Sequence, residues 1–163
     1  MTRKNTPKTP TIAAKQTAVI GKKLIDLTQI AWTKRYQPLN EPLESLTSEA
    51  SARMGVGINA VERQLAFEAM VEPEDQVQFL NALRNALADA GLLERYFLMP
   101  DGTFLLPELV VSADYGEVAN GSVVRLYGPS GDKPLITCLC SSEAECEQTL
   151  QALSARLNGS SAK

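Results

Sequence analysis

Three cysteines lie near the end of the chain, at Cys138, Cys140 and Cys146, in the spacing C-x-C-x5-C. If the first two lie on a strand, they share one face, because successive side chains of a strand alternate between its faces. The third would approach them from a following helix, so that three thiolates could meet. Structural zinc normally takes four ligands from Cys and His, and the chain has no histidine. We expect buried free thiols, with no metal and no other cofactor.

The absence of histidine also removes much of acid–base and nucleophilic enzyme chemistry. Imidazole titrates near neutral pH, and it activates the nucleophile in Ser-His and Cys-His pairs. No other set of residues has the composition of a nucleophile with its base. We predict that the protein is not an enzyme.

Two glycine-containing stretches match phosphate-binding motifs only in part. Residues 55–60 fit G-x-G-x-x-A, but a dinucleotide site needs a preceding apolar strand within a βαβ unit, and the preceding residues are helical in character. Residues 128–133 look like part of a P-loop, which needs Gly before its Lys and Ser or Thr after it. Asp132 and Pro134 occupy those positions. The first match is rejected, and the second favours a turn between strands.

Charge is distributed unevenly along the chain. Residues 1–36 contain eight basic residues and one acidic residue, a net charge of +7, so the rest of the chain carries −10 of the total of −3. This pattern predicts a basic arm on an acidic body. The arm suits contact with phosphates, which the body would repel.

The chain length, the absence of long apolar runs and the small number of cysteines indicate the domain organisation and the cell compartment. A chain of 163 residues fits one domain with an extra subdomain and tail. No apolar run approaches the roughly 18 residues of a membrane-spanning helix, and the N-terminus has no secretory signal pattern. We expect a soluble protein of the reducing cytoplasm, with no membrane contact. Residues 1–25, which contain no acid, also suit an organellar transit segment.

The N-terminal part is predicted to be a tail and a helix. Residues 1–11 contain two prolines and are expected to form a disordered basic tail. Residues 12–36 predict an amphipathic basic helix packed on the core. Its apolar stripe is Ile20, Leu24, Leu27 and Ala31. The same stripe with Trp32 also suits a homodimer interface, and the basic side also suits phosphate contact, so these alternatives stay open.

Residues 46–65 have the spacing of a helix, a sharp turn and a second helix. Thr47 and Ser48 offer hydroxyls at a helix start, and Gly55 can adopt the positive φ that reverses the chain. The stretch resembles the helix-turn-helix of bacterial DNA-binding proteins, whose second half commonly runs Gly-Val, four mostly polar residues, Val, any residue, Arg, any residue, Leu. The residues that match are Gly55, Val56, Val61, Arg63 and Leu65.

The next two predicted elements extend this resemblance. Residues 73–90 carry a leucine stripe and form a predicted helix that begins at Pro73 and ends at Gly91. Residues 96–106 flank a Pro-Asp-Gly turn and predict a β-hairpin. A helix-turn-helix followed by a helix and a hairpin is the order of many winged-helix modules, so residues 43–111 are predicted to form such a domain. Asp101 at the hairpin tip, in place of a basic residue, indicates a structural hairpin.

The resemblance also assigns DNA contacts by position. In that family the second helix enters the major groove, which implies base or phosphate contacts from Asn59 and Arg63. Further backbone contacts are implied for the basic residues of the motif and of the N-terminal arm. These residues are Arg53, Lys22, Lys23, Arg3, Lys4 and Lys8.

The C-terminal part is predicted to be a ββα subdomain over residues 112–158. Residues 123–127 and 135–140 predict paired strands, and residues 113–121 predict a polar connection. Ser142 and Glu145 form a capping box that opens a last helix, before a disordered tail at 159–163. The predicted fold class is α+β, with N-terminal helices including a helix-turn-helix, then a small antiparallel sheet of two hairpins with a C-terminal helix.

Two functions remain open from the sequence. The first is a DNA-binding protein that regulates transcription, or that regulates a replicon or mobile element, through the helix-turn-helix and the basic arm. The second is a non-enzymatic protein-interaction module, such as an adaptor, assembly factor or chaperone, on a similar α+β scaffold. The expected partner is DNA or another protein, and a homodimer is expected in either case.

Overall fold

The structure is a computed structural model that describes the backbone of residues 16–162 and the side chains of residues 16–159. In chain order, the helices and strands of this part are β1 (Thr17–Ile20), β2 (Lys23–Asp26), β3 (Trp32–Tyr36), α1 (Ser48–Ser51), β4 (Gly55–Asn59), β5 (Gln64–Ala69), α2 (Pro73–Asp89), β6 (Phe97–Leu98), β7 (Phe104–Leu105), β8 (Ser112–Val118), β9 (Gly121–Tyr127), β10 (Ile136–Cys140) and α3 (Glu143–Ala162). No helix in residues 16–162 combines the length and the hydropathy that a membrane crossing requires.

The strands form two sheets and a separate hairpin. The first sheet has five strands in the order β5-β4-β3-β7-β6, and the second has three strands in the order β10-β9-β8. β1 and β2 pair with each other alone among the described strands. All pairings are antiparallel.

Helix α2 covers one face of the five-stranded sheet. Pro73 lies in its first turn, and its leucine stripe at Leu80, Leu83 and Leu87 is fully buried. These leucines share a core cluster with Ile58 of β4 and Phe104 of β7. The helix predicted from this stripe is confirmed, because spacings of three and four residues place the leucines on one helical face.

The predicted helix over residues 12–36 is wrong in its described part. Residues 16–36 form β1, β2, a 3-10 turn at Leu27–Gln29 and β3, whereas residues 12–15 lie outside the description. Gly21 has a φ of +63° and reverses the chain between β1 and β2. Ile20, Leu27 and Ala31 are buried, but Leu24 is 71% exposed, so the apolar positions do not form one stripe. The β-branched residues of β1 favour a strand over a helix.

The predicted helix-turn-helix is also wrong as a structure. Thr47 does cap a helix, since its Oγ1 accepts a hydrogen bond from the N–H of Ala50, but that helix, α1, has only four residues. Residues 55–59 then form the strand β4, buried between β3 and β5, and the predicted second helix is absent. Gly55 makes no turn: an added Cβ there would overlap the carbonyl oxygen of Glu68 on β5. This glycine allows a close approach between strands.

The hairpin predicted over residues 96–106 is confirmed as β6 and β7. It is not a free hairpin, because β7 pairs with β3 through Leu105 and Trp32 and so lies inside the five-stranded sheet. Asp101 at its tip is buried, and its Oδ1 accepts hydrogen bonds from the N–H and Oγ1 of Thr103. The tip is an internal turn rather than an exposed one.

The C-terminal part contains a strand that was predicted to be a connection. The predicted strands match β9 and β10, and half of the predicted capping box is present: the N–H of Glu145 donates to Ser142 Oγ, whereas Glu145 Oε1 accepts from the N–H of Ser141. Residues 112–118, however, form β8 on the far side of β9, so the predicted polar connection is wrong. α3 continues to Ala162, so the predicted tail is wrong for residues 159–162, and Lys163 and residues 1–11 lie outside the description.

Helix α3 lies over one face of the three-stranded sheet and completes a second core. Val124 and Leu126 of β9 and Cys138 of β10 are fully buried there, together with Cys146 and Leu153 of α3. The protein is α+β, but the predicted architecture is wrong: residues 16–72 form strands, two 3-10 turns and one single-turn α-helix. Each sheet has one long helix on it, and the second core also contains Phe97 of β6 and Leu105 of β7 from the five-stranded sheet.

Candidate functional site

The structure separates the residues predicted to contact DNA. Asn59 is 5% exposed in β4, where its Nδ2 lies 3.5 Å from the carbonyl oxygen of Trp32. Arg63 is exposed in the turn between β4 and β5, and Arg53 is exposed just after α1. Lys22 and Lys23 are exposed at the β1–β2 turn. The remaining predicted contacts, Arg3, Lys4 and Lys8, lie outside the described residues.

The residues predicted to form a dimer interface do not share a surface. Ile20, Leu27 and Ala31 are buried in the protein's own core, and Trp32 is half-buried against the second core. Only Leu24 is largely exposed. A side chain buried in the monomer is unavailable to a second copy, so this set offers one contact residue.

The three cysteines are free buried thiols. Hydrogen bonds from Cys138 and Cys146 lower the pKa of the Cys140 thiol, and the hydrogen bond with Cys140 raises the pKa of Cys138. Burial raises the pKa of Cys146 to about 12. Within residues 16–162 no three His, Cys, Asp or Glu side chains converge in a way that could hold a metal ion. The thiols pack as small apolar groups beneath the start of α3.

The clearest open surface is the outer edge of β8. β8 is the edge strand of its sheet, and among the described strands it pairs only with β9. None of its seven residues is buried. An edge strand presents a row of backbone N–H and C=O groups that can pair with another chain.

An apolar groove runs beside this edge, between the start of β8 and the second half of α3. Its volume is about 330 Å³. Val111, just before β8, is 68% exposed, and Leu157 of α3 is 40% exposed. The apolar side chains that line the groove are Val110, Val111, Ala113, Leu150, Leu153 and Leu157. Exposed large aliphatic side chains beside a concave apolar surface mark a binding site more strongly than isolated ones do.

Two side-chain contacts join β8 to its neighbours. The Tyr115 hydroxyl donates a 2.9 Å hydrogen bond to Glu147 Oε2 of α3, and this bond raises the pKa of Tyr115. Arg125 Nε of β9 donates to Asp114 Oδ1 at 2.7 Å, which raises the pKa of Arg125. The first contact joins β8 to α3, the two elements that form the walls of the groove.

The rim of the groove and of β8 is acidic. Glu108, Glu117, Glu143 and Glu147 are exposed around it. Two arginines of the described residues, on β9 and α3, are engaged: Arg125 pairs with Asp114, and Arg156 donates to the carbonyl oxygens of Tyr96 and Glu94. The edge therefore presents apolar side chains and negative charge to a partner.

Sequence patterns contain only a weak signal for this site. Ser-Ala-Asp-Tyr-Gly-Glu-Val alternates small or apolar residues with polar ones, as an exposed strand does, but it has few large apolar residues. The groove joins Val111 to Leu157, which are far apart in the chain. No local pattern connects them.

Comparisons of the chain with protein-family models, with curated proteins and with solved structures find no match, so the fold and the site geometry carry the functional argument.

Proposed function

We propose that the protein is a non-enzymatic interaction module that binds an extended segment of a partner polypeptide along β8. The observation that carries this proposal is the open edge of β8 beside the apolar groove formed with α3. A strand added to a sheet edge gains backbone hydrogen bonds, and pockets for alternate side chains provide specificity.

The acidic rim defines the chemistry of the partner segment. Side chains of an added strand alternate, so every second one would enter the groove between Val111 and Leu157. The others would face solvent near Glu117 and Glu147, which favour Lys or Arg. The proposed partner segment is extended, with apolar residues that alternate with basic ones.

A peptide titration tests this proposal. A seven-residue peptide, the length of β8, that alternates Val and Lys should bind, and one that alternates Val and Glu should bind at least about tenfold more weakly, or 1.4 kcal/mol. Fluorescence anisotropy with labelled peptides measures both affinities. Equal affinities, or no binding of either peptide at millimolar concentration, would contradict the proposal.

A matched pair of variants locates the binding site. Val111→Lys places a cation beside the groove and should weaken binding of the Val/Lys peptide about tenfold. Val61→Lys changes a valine of similar exposure, 63% against 68%, in the distant β4–β5 turn and should leave the affinity unchanged. Equal effects from both variants would show that β8 is not the binding surface.

A second copy of the chain is the main competing occupant of the edge. Sedimentation velocity distinguishes the two, because a dimer that forms through β8 would dissociate in Val111→Lys. Such a dimer would mean that a second copy of the chain, rather than a different polypeptide, occupies the edge of β8. The expected cytoplasmic location belongs to the same proposal and is supported by the three free thiols.

DNA binding is a second proposal, which the charge of the N-terminal segment favours. Residues 1–36 carry a net charge of +7, and Lys22 and Lys23 are exposed at the hairpin turn. Binding of this kind would use phosphate contacts, so affinity for random duplex DNA should fall steeply as salt rises. Anisotropy of labelled duplex DNA at increasing salt tests it, and no binding at low salt would end it.

A further inference from the structure

Arg35 of β3 is a buried cation whose partners are neutral. Its side chain is 9% exposed. Nε donates to Gln76 Oε1 of α2 at 2.8 Å, and Nη1 donates to the carbonyl oxygen of Asp101 at 2.9 Å. Among the described residues, no carboxylate oxygen lies within 4.0 Å of this guanidinium. The ion pair in this part of the chain joins two other residues, Arg125 and Asp114. A buried charge without a direct ion-pair partner is costly.

A cavity of about 400 Å³ lies beside Arg35, between α2, the β6–β7 turn and the start of α3. Arg84 of α2 also lines it and is half-buried, and its side-chain hydrogen bond goes to the neutral Asn81. Val77 and Leu139 supply an apolar wall. Two guanidinium groups with neutral partners therefore face one concave site of the size that small ligands occupy.

Two carboxylates also line the cavity, and one oxygen of each accepts hydrogen bonds within the protein. Asp101 Oδ1 accepts from the N–H and Oγ1 of Thr103, and its Oδ2 is buried without a partner among the described residues. Glu145 Oε1 accepts from the N–H and Oγ of Ser141, the residue before the helix cap Ser142. These groups limit the negative charge that the cavity accepts, so a singly charged anion fits better than a dianion.

We propose that this cavity binds a small monocarboxylate with a short hydrocarbon body. The carboxylate would accept hydrogen bonds from Arg84 and from the free edge of the Arg35 guanidinium, whose fork matches carboxylate geometry. The hydrocarbon body would pack on Val77 and Leu139. This inference concerns a different surface from β8, and it does not depend on the proposed partner.

Calorimetric titration with isovalerate and benzoate, against inorganic phosphate, tests the proposal. The two carboxylates should bind with a dissociation constant of about 1 mM, as expected for ligands of this size, and phosphate should bind at least about tenfold more weakly. Arg84→Gln should weaken carboxylate binding at least tenfold. Arg53→Gln changes an exposed arginine outside the cavity and should leave it unchanged.

Three results would overturn the proposal. The first is that neither carboxylate binds at concentrations about tenfold above the expected dissociation constant. The second is that phosphate binds as tightly as the carboxylates, and the third is that the two arginine substitutions have equal effects. Amide NMR shifts provide the second readout. The Gly102 amide, in the turn that lines the cavity, should shift with isovalerate in the wild type and remain unshifted in Arg84→Gln.

Discussion

β4 and β8 occupy opposite positions in their sheets. β4 lies between β3 and β5, and all five of its residues are buried. β8 pairs with β9 alone among the described strands, and none of its seven residues is buried. A central strand has both edges satisfied and both faces covered, so it serves stability. An edge strand keeps backbone groups and side chains available to a partner.

The β1–β2 hairpin is also exposed, but the chemistry of its surface differs from that beside β8. Val19 and Leu24 are directly opposite each other and are 69% and 71% exposed, as much as Val111. The hairpin turn carries Lys22 and Lys23, and the adjoining hollow contains the charged side chain of Arg63. β8 differs because Val111, the exposed valine just before it, is one of six apolar side chains that line a groove.

The largest expected effect is a difference in unfolding free energy between alanine substitutions of a glycine in β4 and a glycine in β8. In Gly55→Ala the new Cβ would overlap the backbone of Glu68, so the substitution should cost about 3 kcal/mol or more of unfolding free energy. In Gly116→Ala of β8 the new Cβ would lie 2.8 Å from Arg125 Nη2, the mobile end of a side chain, so the cost should be under about 1 kcal/mol. Urea unfolding measures both, and equal costs would contradict the difference between centre and edge.

A smaller effect is expected from the ion pair that joins β8 to β9. Asp114→Asn removes the partner of Arg125, but the two side chains are 51% and 33% exposed, so water and salt screen the pair. The loss should be at most about 1 kcal/mol and should shrink as salt rises. Urea unfolding at low and high salt measures it. A salt-independent loss of about 3 kcal/mol would show that β8 depends on this pair for its position.

The smallest expected effect is a change in the pKa of Tyr115 on β8, without a large change in the free energy of unfolding. The hydrogen bond to Glu147 raises the pKa of Tyr115, whereas burial raises the pKa of Tyr36. Because the folded-state pKa is raised, any stabilisation from Tyr115 is present below its unfolded pKa and is lost as pH rises through the folded pKa. Glu147→Gln should lower the pKa of Tyr115 alone. NMR titration of the ring carbons checks this, and an equal shift at Tyr36 would contradict it.

Sequence patterns predict the elements whose signals are local. Leu80, Leu83 and Leu87 predict α2, and Ser142 with Glu145 predicts the start of α3, because each signal lies within a few turns of one helix. Residues 20–31 mislead because a few apolar side chains in helical spacing also fit two strands and a turn. Gly55 misleads because a glycine suits both a turn and a close contact between strands, and only the neighbour at Glu68 decides between them.

The candidate sites depend on contacts that no local pattern contains. The groove joins Val111 to Leu157, and the cavity joins Arg35 to Arg84 and Glu145. The residues of each site are distant in the chain and meet only when the sheets and helices pack. The sequence therefore predicts the helices beside these sites but not the sites themselves.

Amide hydrogen exchange with and without the Val/Lys peptide tests the central claim most directly. Strand addition covers the free backbone groups of the edge strand, so exchange at residues 112–118 should slow when the peptide is bound. Exchange at residues 17–26 of the hairpin should stay the same. Bound peptide with protection at residues 17–26, or with no protection at residues 112–118, would contradict the account.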